Sequence, residues 1–359
     1  MNTISFEDFL KEENAILIDV RTPKEFLLEK IPNSVNIPVL LDEERVIVGT
    51  TYVQHSKEIA KQKGIEFISK RLPEIFETVQ NLSKKYSKLI FMCARGGMRS
   101  SSITSLFHSL GYKVAKLEGG YKAYRDFVLT TLPIENAKFE YIVVHGKTGV
   151  GKTKILNKMA NLGVSVMDLE RMAVHKGSFF GALGEKLPQN QKRFDGEIFN
   201  FLRNCKTKYI VVESESKRIG NLYIPESVYS SMINGKHLFI DTSIPNRLGI
   251  LLEDYANVPS NMIEECILKV ARYVSKEKTS NYLNLLHQGK LKELCELLII
   301  QYYDPLYEVS IDKHNFELSI KYDNMDSCAK ELSDYFFKIE NQQKELARAS
   351  SFHLYYGYG

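Results

Sequence analysis

Two short segments of this chain carry the residue types that bind anions, and the first of them also carries a nucleophile. Residues 93–100 read CARGGMRS, and residues 146–153 read GKTGVGKT. A cysteine set among glycines and arginines is typical of a reactive thiolate, because backbone amides and guanidinium groups stabilise the charged sulfur. A glycine-rich loop that ends in Lys and Thr is typical of a phosphate-binding loop. Together the two segments predict an enzyme that uses a phosphorylated small molecule to modify a second substrate.

The second segment fits the P-loop pattern G-x-x-x-x-G-K-[ST] at every fixed position. The apolar run at 141–144 predicts a buried strand, and residues 154–160 predict a helix, so the loop has the strand–loop–helix context that it needs. A chance glycine-rich turn is the alternative, and these flanks argue against it. We expect Lys152 to reach the terminal phosphate and the Thr153 hydroxyl to bind Mg²⁺. The predicted phosphate-binding residues are Gly146, Gly149, Gly151, Lys152 and Thr153.

The cysteine loop also lies at a predicted strand-to-helix turn. Residues 88–92 form an apolar run that leads into Cys93, and residues 101–110 have a helical pattern of apolar side chains. The helix N-terminus and two nearby arginines should therefore lower the pKa of the Cys93 thiol. The alternative is a buried structural cysteine, which is a poor match to a loop with two Gly and two Arg. The predicted catalytic pair and its anion loop are Cys93, Arg99, Arg95, Gly96, Gly97 and Ser100.

Carboxylates follow two further predicted strands. Residues 164–168 end in Asp168, and residues 208–213 end in Glu213. In open α/β sheets, ligands bind beyond the carboxyl ends of the strands, so either carboxylate could orient Mg²⁺ or a reacting group. Each could equally be a helix cap or a solvated side chain. The basic residues His175, Lys176, Lys217 and Arg218 are open to two interpretations, phosphate binding or a solvated face.

The first 130 residues resemble a rhodanese domain. The Asp-Val-Arg sequence at 19–21, the Asn-Ile-Pro sequence at 36–38, the cysteine loop and the Leu-Glu-Gly-Gly-Tyr sequence at 117–121 occur in the order of that family. Thr22 and Pro23 predict the start of a helix, as N-cap and first helical residue. We expect Asp19, Arg21 and Glu25 to brace the active loop by ion pairs.

The cysteine loop is wider than a rhodanese loop, which is usually one residue shorter between its cysteine and its arginine. Five residues separate Cys93 from Arg99. That width suits a tetrahedral oxyanion such as phosphate or a chalcogen-substituted phosphate. Cysteine phosphatases have the same spacing, but they normally place His before the cysteine, where this chain has Met92.

Over nearly its whole length the chain resembles the tRNA 2-selenouridine synthases, in which a rhodanese domain is joined to a P-loop domain. The ordered segments that carry this resemblance are RGGMRS at 95–100, GKTGVGKT at 146–153, MDLE at 167–170, HKGS at 175–178, ESESKRIG at 213–220 and YDPLY at 303–307. The chain departs from the family at Ala94, where an aromatic residue is usual, at Lys176 and Lys217, where Arg is usual, and at Tyr302, where His is usual.

This resemblance implies a tRNA-modifying transferase that converts wobble 2-thiouridine to 2-selenouridine. A prenyl (geranyl) diphosphate bound at Lys152 would alkylate the sulfur, and selenophosphate would then deliver selenium at the Cys93 loop. Cys93 would act as nucleophile or as a transient selenium carrier. The implied partners are tRNA and an enzyme that produces selenophosphate. Two alternatives remain, a sulfurtransferase fused to a nucleotide-hydrolysing domain and a non-catalytic regulator, and the retained Cys93, Lys152 and Thr153 argue against the regulator.

We expect an α/β fold with a rhodanese-like domain at 1–130, a P-loop NTPase-like parallel-sheet domain with a helical C-terminal region at 131–345, and a loose tail at 346–359. The net charge of +4 permits tRNA binding without predicting it. No apolar run is long enough to span a bilayer, and no signal peptide opens the chain. Five scattered cysteines without paired spacing argue against a disulfide framework or a zinc site. A cytoplasmic protein with reduced thiols is the expected outcome.

Overall fold

A computed structural model describes residues 2–174, 190–255, 258–311 and 314–356. The chain forms two compact units, one of Met1–Leu132 with Asn190–Asn200 and one of Pro133–Gln189 with Phe201–Gly359. The strands are β1 (Thr3–Ile4), β2 (Ala15–Asp19), β3 (Val35–Asn36), β4 (Lys88–Met92), β5 (Val114–Leu117), β6 (Glu140–His145), β7 (Val166–Met167), β8 (Tyr209–Glu213), β9 (Arg218–Ile219), β10 (Leu222–Tyr223), β11 (Lys236–Asp241) and β12 (Leu318–Lys321).

The helices connect these strands and cover the sheets. They are α1 (Phe6–Phe9), α2 (Pro23–Glu29), α3 (Asp42–Gln54), α4 (Lys57–Ser83), α5 (Met98–Ser109), α6 (Gly120–Asn136), α7 (Lys152–Asn161), α8 (Leu169–Met172), α9 (Gln191–Asn204), α10 (Glu226–Ile233), α11 (Ile244–Tyr255), α12 (Ser260–Val270), α13 (Lys276–His287), α14 (Leu291–Leu298), α15 (Asp304–Ile311) and α16 (Met325–Tyr356). A π-helical turn at Ile299–Tyr303 joins α14 to α15. Among the described residues, no helix has both the length and the apolar character needed to cross a bilayer.

The first unit contains a five-stranded sheet of parallel strands in the order β1-β5-β4-β2-β3. Strand β4 is central, and its residues Leu89 to Met92 are at most 1% exposed. Such two-sided burial explains why this strand is continuously apolar in the sequence. Helix α2 begins as predicted, because Thr22 forms a capping box with Glu25 and Pro23 follows at the first turn.

Helix α9 contributes its first part to this first unit, outside the range 1–130 that the sequence suggested. Arg125 on α6 pairs with the largely buried Asp195 at 2.6 Å. Phe199 packs edge-on against Phe127 of the same helix, with ring centroids 5.8 Å apart. The ion pair and the ring contact account for the placement of this segment, which a local sequence pattern does not encode.

The second unit contains another five-stranded sheet of parallel strands, ordered β12-β11-β6-β8-β7. Strand β6 is central and leads into the glycine-rich loop, after which α7 begins at Lys152. One face of the sheet packs against α7 and α16 through a continuous apolar cluster that includes Ile155, Leu332 and Phe336. Because the strands are parallel, the loop after β6 and the end of β8 meet at the same edge of the sheet.

The helical part of the second unit has its own core. Tyr282 and Ile267 are fully buried among leucines of α13 and α14. Helix α16 continues to Tyr356, into the range 346–359 where the sequence suggested a loose tail.

Candidate functional site

The cysteine loop is held by hydrogen bonds to its backbone carbonyls. Cys93 follows β4 directly, and its carbonyl accepts from the Tyr121 N–H at 2.8 Å, while the Ala94 carbonyl accepts from the Lys122 N–H at 3.0 Å. The Lys116 ammonium donates to the Gly96 carbonyl at 3.1 Å. With these carbonyls engaged elsewhere, amide N–H groups of the loop are directed at the sulfur, as an anion-binding nest requires.

Gly120 permits this close approach between two backbone segments. It has φ of +58°, and a Cβ atom at this position would lie 2.1 Å from the Cys93 carbonyl oxygen. The Leu-Glu-Gly-Gly-Tyr segment of the sequence therefore acts as the support behind the cysteine loop. Gly96, with φ of +65°, makes the corresponding turn within the loop itself.

Cys93 is prepared to carry negative charge. Its side chain is almost fully buried, which alone would raise the pKa of the thiol. The Ser100 hydroxyl lies 3.2 Å from the sulfur. This hydroxyl, the backbone N–H groups of Ser100 and Arg95, and the nearby Arg99 charge outweigh burial, so the pKa of Cys93 is lowered. The loop thus stabilises a thiolate, as the sequence predicted.

Arg99 is fixed by a carboxylate from a distant part of the sequence. Its guanidinium makes two hydrogen bonds to Glu25, at 2.6 and 3.1 Å, in a bidentate arrangement. Burial opposes the charge of Glu25, but Arg99 holds the pKa of that carboxyl below its usual value. The predicted ion pairing of Asp19 and Arg21 is also confirmed, because the two form a buried pair at 2.8 Å.

The mouth of this loop is open. The side chains of Arg95 and Met98 are exposed, as is Gly97, whereas Ser100 is fully buried beneath them. An anion that enters the loop would therefore meet the Arg95 guanidinium at the surface and the Cys93 sulfur at the base.

The P-loop of the second unit has the backbone conformation that phosphate binding needs. Gly149 and Gly151 have φ of +80° and +69°, values that side chains rarely allow. Lys152 is 9% exposed and donates to the Gly146 carbonyl at 2.9 Å. It also lies 3.5 Å from a Glu213 carboxylate oxygen, and the Thr153 hydroxyl donates to the other Glu213 oxygen at 3.0 Å.

Three carboxylates gather beside Thr153. Oxygens of Glu170, Glu213 and Glu215 lie within 4.8 Å of one another. Burial, reinforced by the charges of its two neighbours, raises the pKa of Glu170 to about 9, and burial and Glu213 raise the pKa of Glu215 to about 7. Carboxylate oxygens next to a P-loop threonine are suitable ligands for Mg²⁺, and the phosphate oxygens of a bound substrate would be suitable further ligands.

The other residues that the sequence offered as supporting candidates are not part of the carboxylate cluster at Thr153. Asp168 accepts a hydrogen bond from the Arg171 N–H at 2.9 Å and caps α8, so the cap alternative holds for this carboxylate. Arg218 is exposed on the β9–β10 hairpin, where its Nε donates to the Gly220 carbonyl. Lys217 pairs with Glu226 on the surface. His175 and Lys176 lie outside the described residues.

A cavity of about 630 Å³ adjoins the P-loop. Lys152, Thr153 and the three carboxylates line its polar part. Its apolar lining consists of Val143, Met232, Ile233, Ile250, Leu251 and Leu306. The cavity therefore places the P-loop beside an apolar wall.

Arg247, Asp304 and Tyr307, to which the sequence assigned no role, support the P-loop. The buried Arg247 donates to the Thr148 carbonyl at 2.8 Å and makes a bidentate ion pair with Asp304, the first residue of α15. The Lys152 ammonium lies 5.6 Å from the centroid of the Tyr307 ring. Asp304 and Tyr307 belong to the YDPLY segment, so the resemblance to the family could have pointed to these two residues. Arg247 lies in α11 outside any motif, so the sequence offered no indication of its role.

Comparison with known proteins identifies relatives of both units. The chain matches the family model for a tRNA 2-selenouridine synthase AAA domain over residues 139–337 and that for a rhodanese-like domain over residues 4–127. These matches confirm the predicted order of a rhodanese-like domain and a P-loop domain. The carboxylates Glu170 and Glu215 were present in the matched MDLE and ESES segments, but only the structure shows that they meet at Thr153.

Curated relatives that align with most of this chain are named tRNA 2-selenouridine synthases. A tRNA 2-selenouridine synthase of Nitrosomonas europaea is 33% identical over 248 residues, which cover 67% of this chain and 63% of that protein. One of Shewanella halifaxensis is 30% identical over 330 residues, which cover 83% of this chain and 89% of the relative. The chain thus spans somewhat less than two thirds of the Nitrosomonas protein and most of the Shewanella protein.

Proposed function

Because the chain belongs to the tRNA 2-selenouridine synthase family, we propose that it replaces the sulfur of wobble 2-thiouridine in tRNA with selenium in two half-reactions. In the first, a prenyl diphosphate, geranyl diphosphate in our proposal, alkylates the sulfur at the P-loop. In the second, selenophosphate supplies selenium at the Cys93 loop. The modified tRNA is the acceptor in both.

The observation that carries this proposal is the composition of the cavity beside the P-loop. A prenyl diphosphate has a highly charged anionic head and an apolar chain, and the cavity combines Lys152 and the P-loop amides with an aliphatic wall that includes Ile250 and Leu251. Burial of apolar surface stabilises a bound ligand by about 25 cal/mol per Å². An aliphatic wall supports a prenyl donor more directly than it supports a nucleoside triphosphate.

Alkylation makes the sulfur replaceable. The thiocarbonyl sulfur attacks the first carbon of the prenyl chain, the bond from that carbon to the diphosphate oxygen breaks, and pyrophosphate leaves. Loss of the N3 proton to solvent keeps the alkylated base neutral. Lys152 faces the oxygens on which negative charge develops, so its contact strengthens as the reaction proceeds. Thr153 and Glu213 would hold Mg²⁺, which supplies further neutralisation of the diphosphate when it is bound.

Selenium transfer uses the thiolate of the other loop. In our proposal the Cys93 thiolate attacks the phosphorus of selenophosphate, the phosphorus–selenium bond breaks, and selenide leaves. Selenide adds to C2 of the alkylated base, and the prenyl thiolate leaves and takes up a proton. Water then hydrolyses the thiophosphate on Cys93 to release phosphate. The lowered pKa of Cys93 and the five residues that separate Cys93 from Arg99 support this assignment.

The test is mass spectrometry of the wobble nucleoside after tRNA is incubated with the protein, geranyl diphosphate, Mg²⁺ and selenophosphate. We expect S-geranyl-2-thiouridine without selenophosphate and 2-selenouridine with it. Cys93→Ala should stop at the geranylated nucleoside, and Ser102→Ala, an exposed substitution on α5 after the cysteine loop, should complete the reaction. Selenation by Cys93→Ala at the normal rate would show that the nucleophile is misassigned.

Two further outcomes distinguish the alternatives. A phosphate adduct on Cys93 in rapidly quenched protein supports attack at phosphorus, whereas a selenium adduct indicates a selenium carrier. ATP hydrolysis that tRNA stimulates and Lys152→Ala abolishes, in the absence of any selenated nucleoside, would favour a sulfurtransferase fused to a nucleotide-hydrolysing domain.

A further inference from the structure

Three histidines from separate parts of the sequence converge in the second unit. His145 is the last residue of β6, His237 is the second residue of β11, and His314 lies between α15 and β12. One ring nitrogen from each lies within 4.8 Å of the others. All three line the cavity beside the P-loop, where His145 is buried and the other two are half-buried.

The hydrogen bonds of His237 fix the direction of its free electron pair. Its Nε2 lies 3.1 Å from the Ile233 carbonyl oxygen, which can only accept, so Nε2 carries the proton. Its Nδ1 therefore presents an electron pair and accepts a hydrogen bond from Nε2 of His145 at 2.8 Å. A metal ion bound to both nitrogens would replace this proton, with His145 in its other tautomer. A backbone carbonyl that orients one imidazole nitrogen while the other faces a ligand is the usual outer arrangement of a metal-binding histidine.

The surroundings of His145 favour its neutral form and shield the ring partly from water. Burial, the two other imidazoles and Lys152 lower the pKa of His145 to about 3. Phe316 packs against His145 with ring centroids 5.3 Å apart, and it also contacts Phe239. Imidazoles with an aromatic wall on one side and a cavity on the other are suited to coordinate an ion at the cavity edge.

We propose that His145, His237 and His314 form a binding site for a divalent transition-metal ion of the zinc type, with a fourth coordination position that opens into the cavity. Three nitrogen ligands favour Zn²⁺ over Mg²⁺, which takes oxygen ligands. Zn–N bonds of about 2.0–2.1 Å at tetrahedral angles place the nitrogens about 3.3 Å apart. The His145 and His237 nitrogens would separate by a few tenths of an ångström, which small ring rotations provide.

This site is distinct from the carboxylates at Thr153 and does not depend on the proposed function. Its ligands are imidazoles, whereas Glu170, Glu213 and Glu215 present oxygens. The expectation against a zinc site rested on the spacing of the cysteines, whereas this proposal uses histidines. The cysteines are free among the described residues, and none of them belongs to this cluster.

The experiment is a zinc titration of the chelator-treated full chain against a chromophoric zinc indicator, in excess Mg²⁺ so that the carboxylates are occupied by the harder ion. We expect about one tightly bound Zn²⁺ per chain, and Co²⁺ should give the intense visible bands of a tetrahedral nitrogen site. His237→Ala and His314→Ala should each weaken zinc binding by at least about 100-fold. His287→Ala, an exposed histidine on α13, is the matched control and should bind as the unmodified chain does.

Several outcomes would overturn the inference. One is the absence of stoichiometric zinc binding by the unmodified chain, and another is binding that survives both histidine substitutions. Loss of binding in Glu215→Gln with retention in His314→Ala would place the ion at the carboxylates instead. His314 lies outside the regular strands and helices, so its substitution is the least disruptive, and circular dichroism of each metal-free variant checks the fold. The Co²⁺ spectrum of the unmodified chain is independent of any substitution.

Discussion

At the scale of single residues, the charge of Cys93 depends on the hydroxyl of Ser100 in the first turn of α5. The Ser100 hydroxyl lies 3.2 Å from the sulfur and helps to lower the pKa of the thiol. Ser100→Ala removes that donor, so the pKa of Cys93 should rise and less thiolate should be present at neutral pH. Because a hydrogen bond to a charged group contributes about 1.5 kcal/mol or more, we expect the rate of alkylation by iodoacetamide at neutral pH to fall by about tenfold.

The matched control is Ser102→Ala. Its hydroxyl donates to the Arg99 carbonyl on the exposed side of α5, so the substitution should leave the pH profile of alkylation unchanged. An unchanged profile for Ser100→Ala would mean that backbone amides and Arg99 alone hold the thiolate.

The carboxylates at Thr153 should release a proton when a cation binds. With its pKa raised to about 9, Glu170 is protonated at pH 7, and Glu215, with a pKa near 7, is partly protonated. A divalent cation stabilises the charged forms and therefore lowers both pKa values. Titration calorimetry of Mg²⁺ with pyrophosphate, repeated in buffers of different ionisation enthalpy, should detect about one proton released per chain at pH 7. At pH 10, above both pKa values, this release should disappear.

Glu170→Gln isolates the source of that proton. The variant cannot ionise at this position, so the release should fall while Asp168→Asn, a change at the neighbouring helix cap, should leave it in place. Equal release by Glu170→Gln and the unmodified chain would assign the proton to another group.

At the scale of elements, the turn between β5 and α6 supports the cysteine loop that follows β4. Gly120→Ala introduces a Cβ atom that would lie 2.1 Å from the Cys93 carbonyl, so the loop must shift. We expect the variant to lose most of the reactivity of Cys93 and to be destabilised, as measured by alkylation rate and thermal unfolding. Selenation should fail while geranylation by the other unit continues.

Gly111→Ala separates the steric effect from backbone strain. Gly111 also has positive φ, at +84°, but its Cβ would meet no atom within 4 Å. This substitution should destabilise the chain by about 1 kcal/mol and leave the alkylation rate of Cys93 unchanged. If both variants lose reactivity to the same extent, strain within the first unit rather than the contact with the loop is responsible.

At the scale of the whole molecule, the two loops should serve separable half-reactions. Lys152→Ala removes an electrostatic contact that strengthens as pyrophosphate leaves, which typically lowers the rate by about 10²–10³. It should therefore fail on 2-thiouridine tRNA yet selenate tRNA that is supplied already geranylated. Arg99→Ala should geranylate normally and fail to selenate, because the anion loop loses its fixed guanidinium.

Both variants are assayed on both substrates, with Lys158→Ala as a control for another lysine of α7, which pairs with Asp326 and does not line the cavity beside the P-loop. If Lys152→Ala and Arg99→Ala fail equally on both substrates, the two loops form a single catalytic site and the division of labour is incorrect.

The sequence alone determined the features that local chemistry encodes. The strand at Lys88–Met92, the cysteine loop after it and the P-loop between β6 and α7 could all be predicted, because an apolar run followed by a glycine-rich turn and a helical pattern leaves little choice of structure. The helix start at Thr22 and Pro23 could be predicted for the same reason. Short strands without a strong pattern, such as β1 and β12, were not anticipated.

Only the tertiary structure decided which distant side chains meet. Arg99 pairs with Glu25, 74 positions earlier, and Arg247 supports the P-loop through Thr148 and Asp304. Of the two carboxylates that follow β7, Asp168 caps a helix and Glu170 faces Thr153, a choice set by the backbone rather than by residue type. The three histidines converge because parallel pairing places β6 beside β11 and β11 beside β12. Such contacts depend on how whole helices and strands pack, and a sequence pattern of a few residues does not encode that packing.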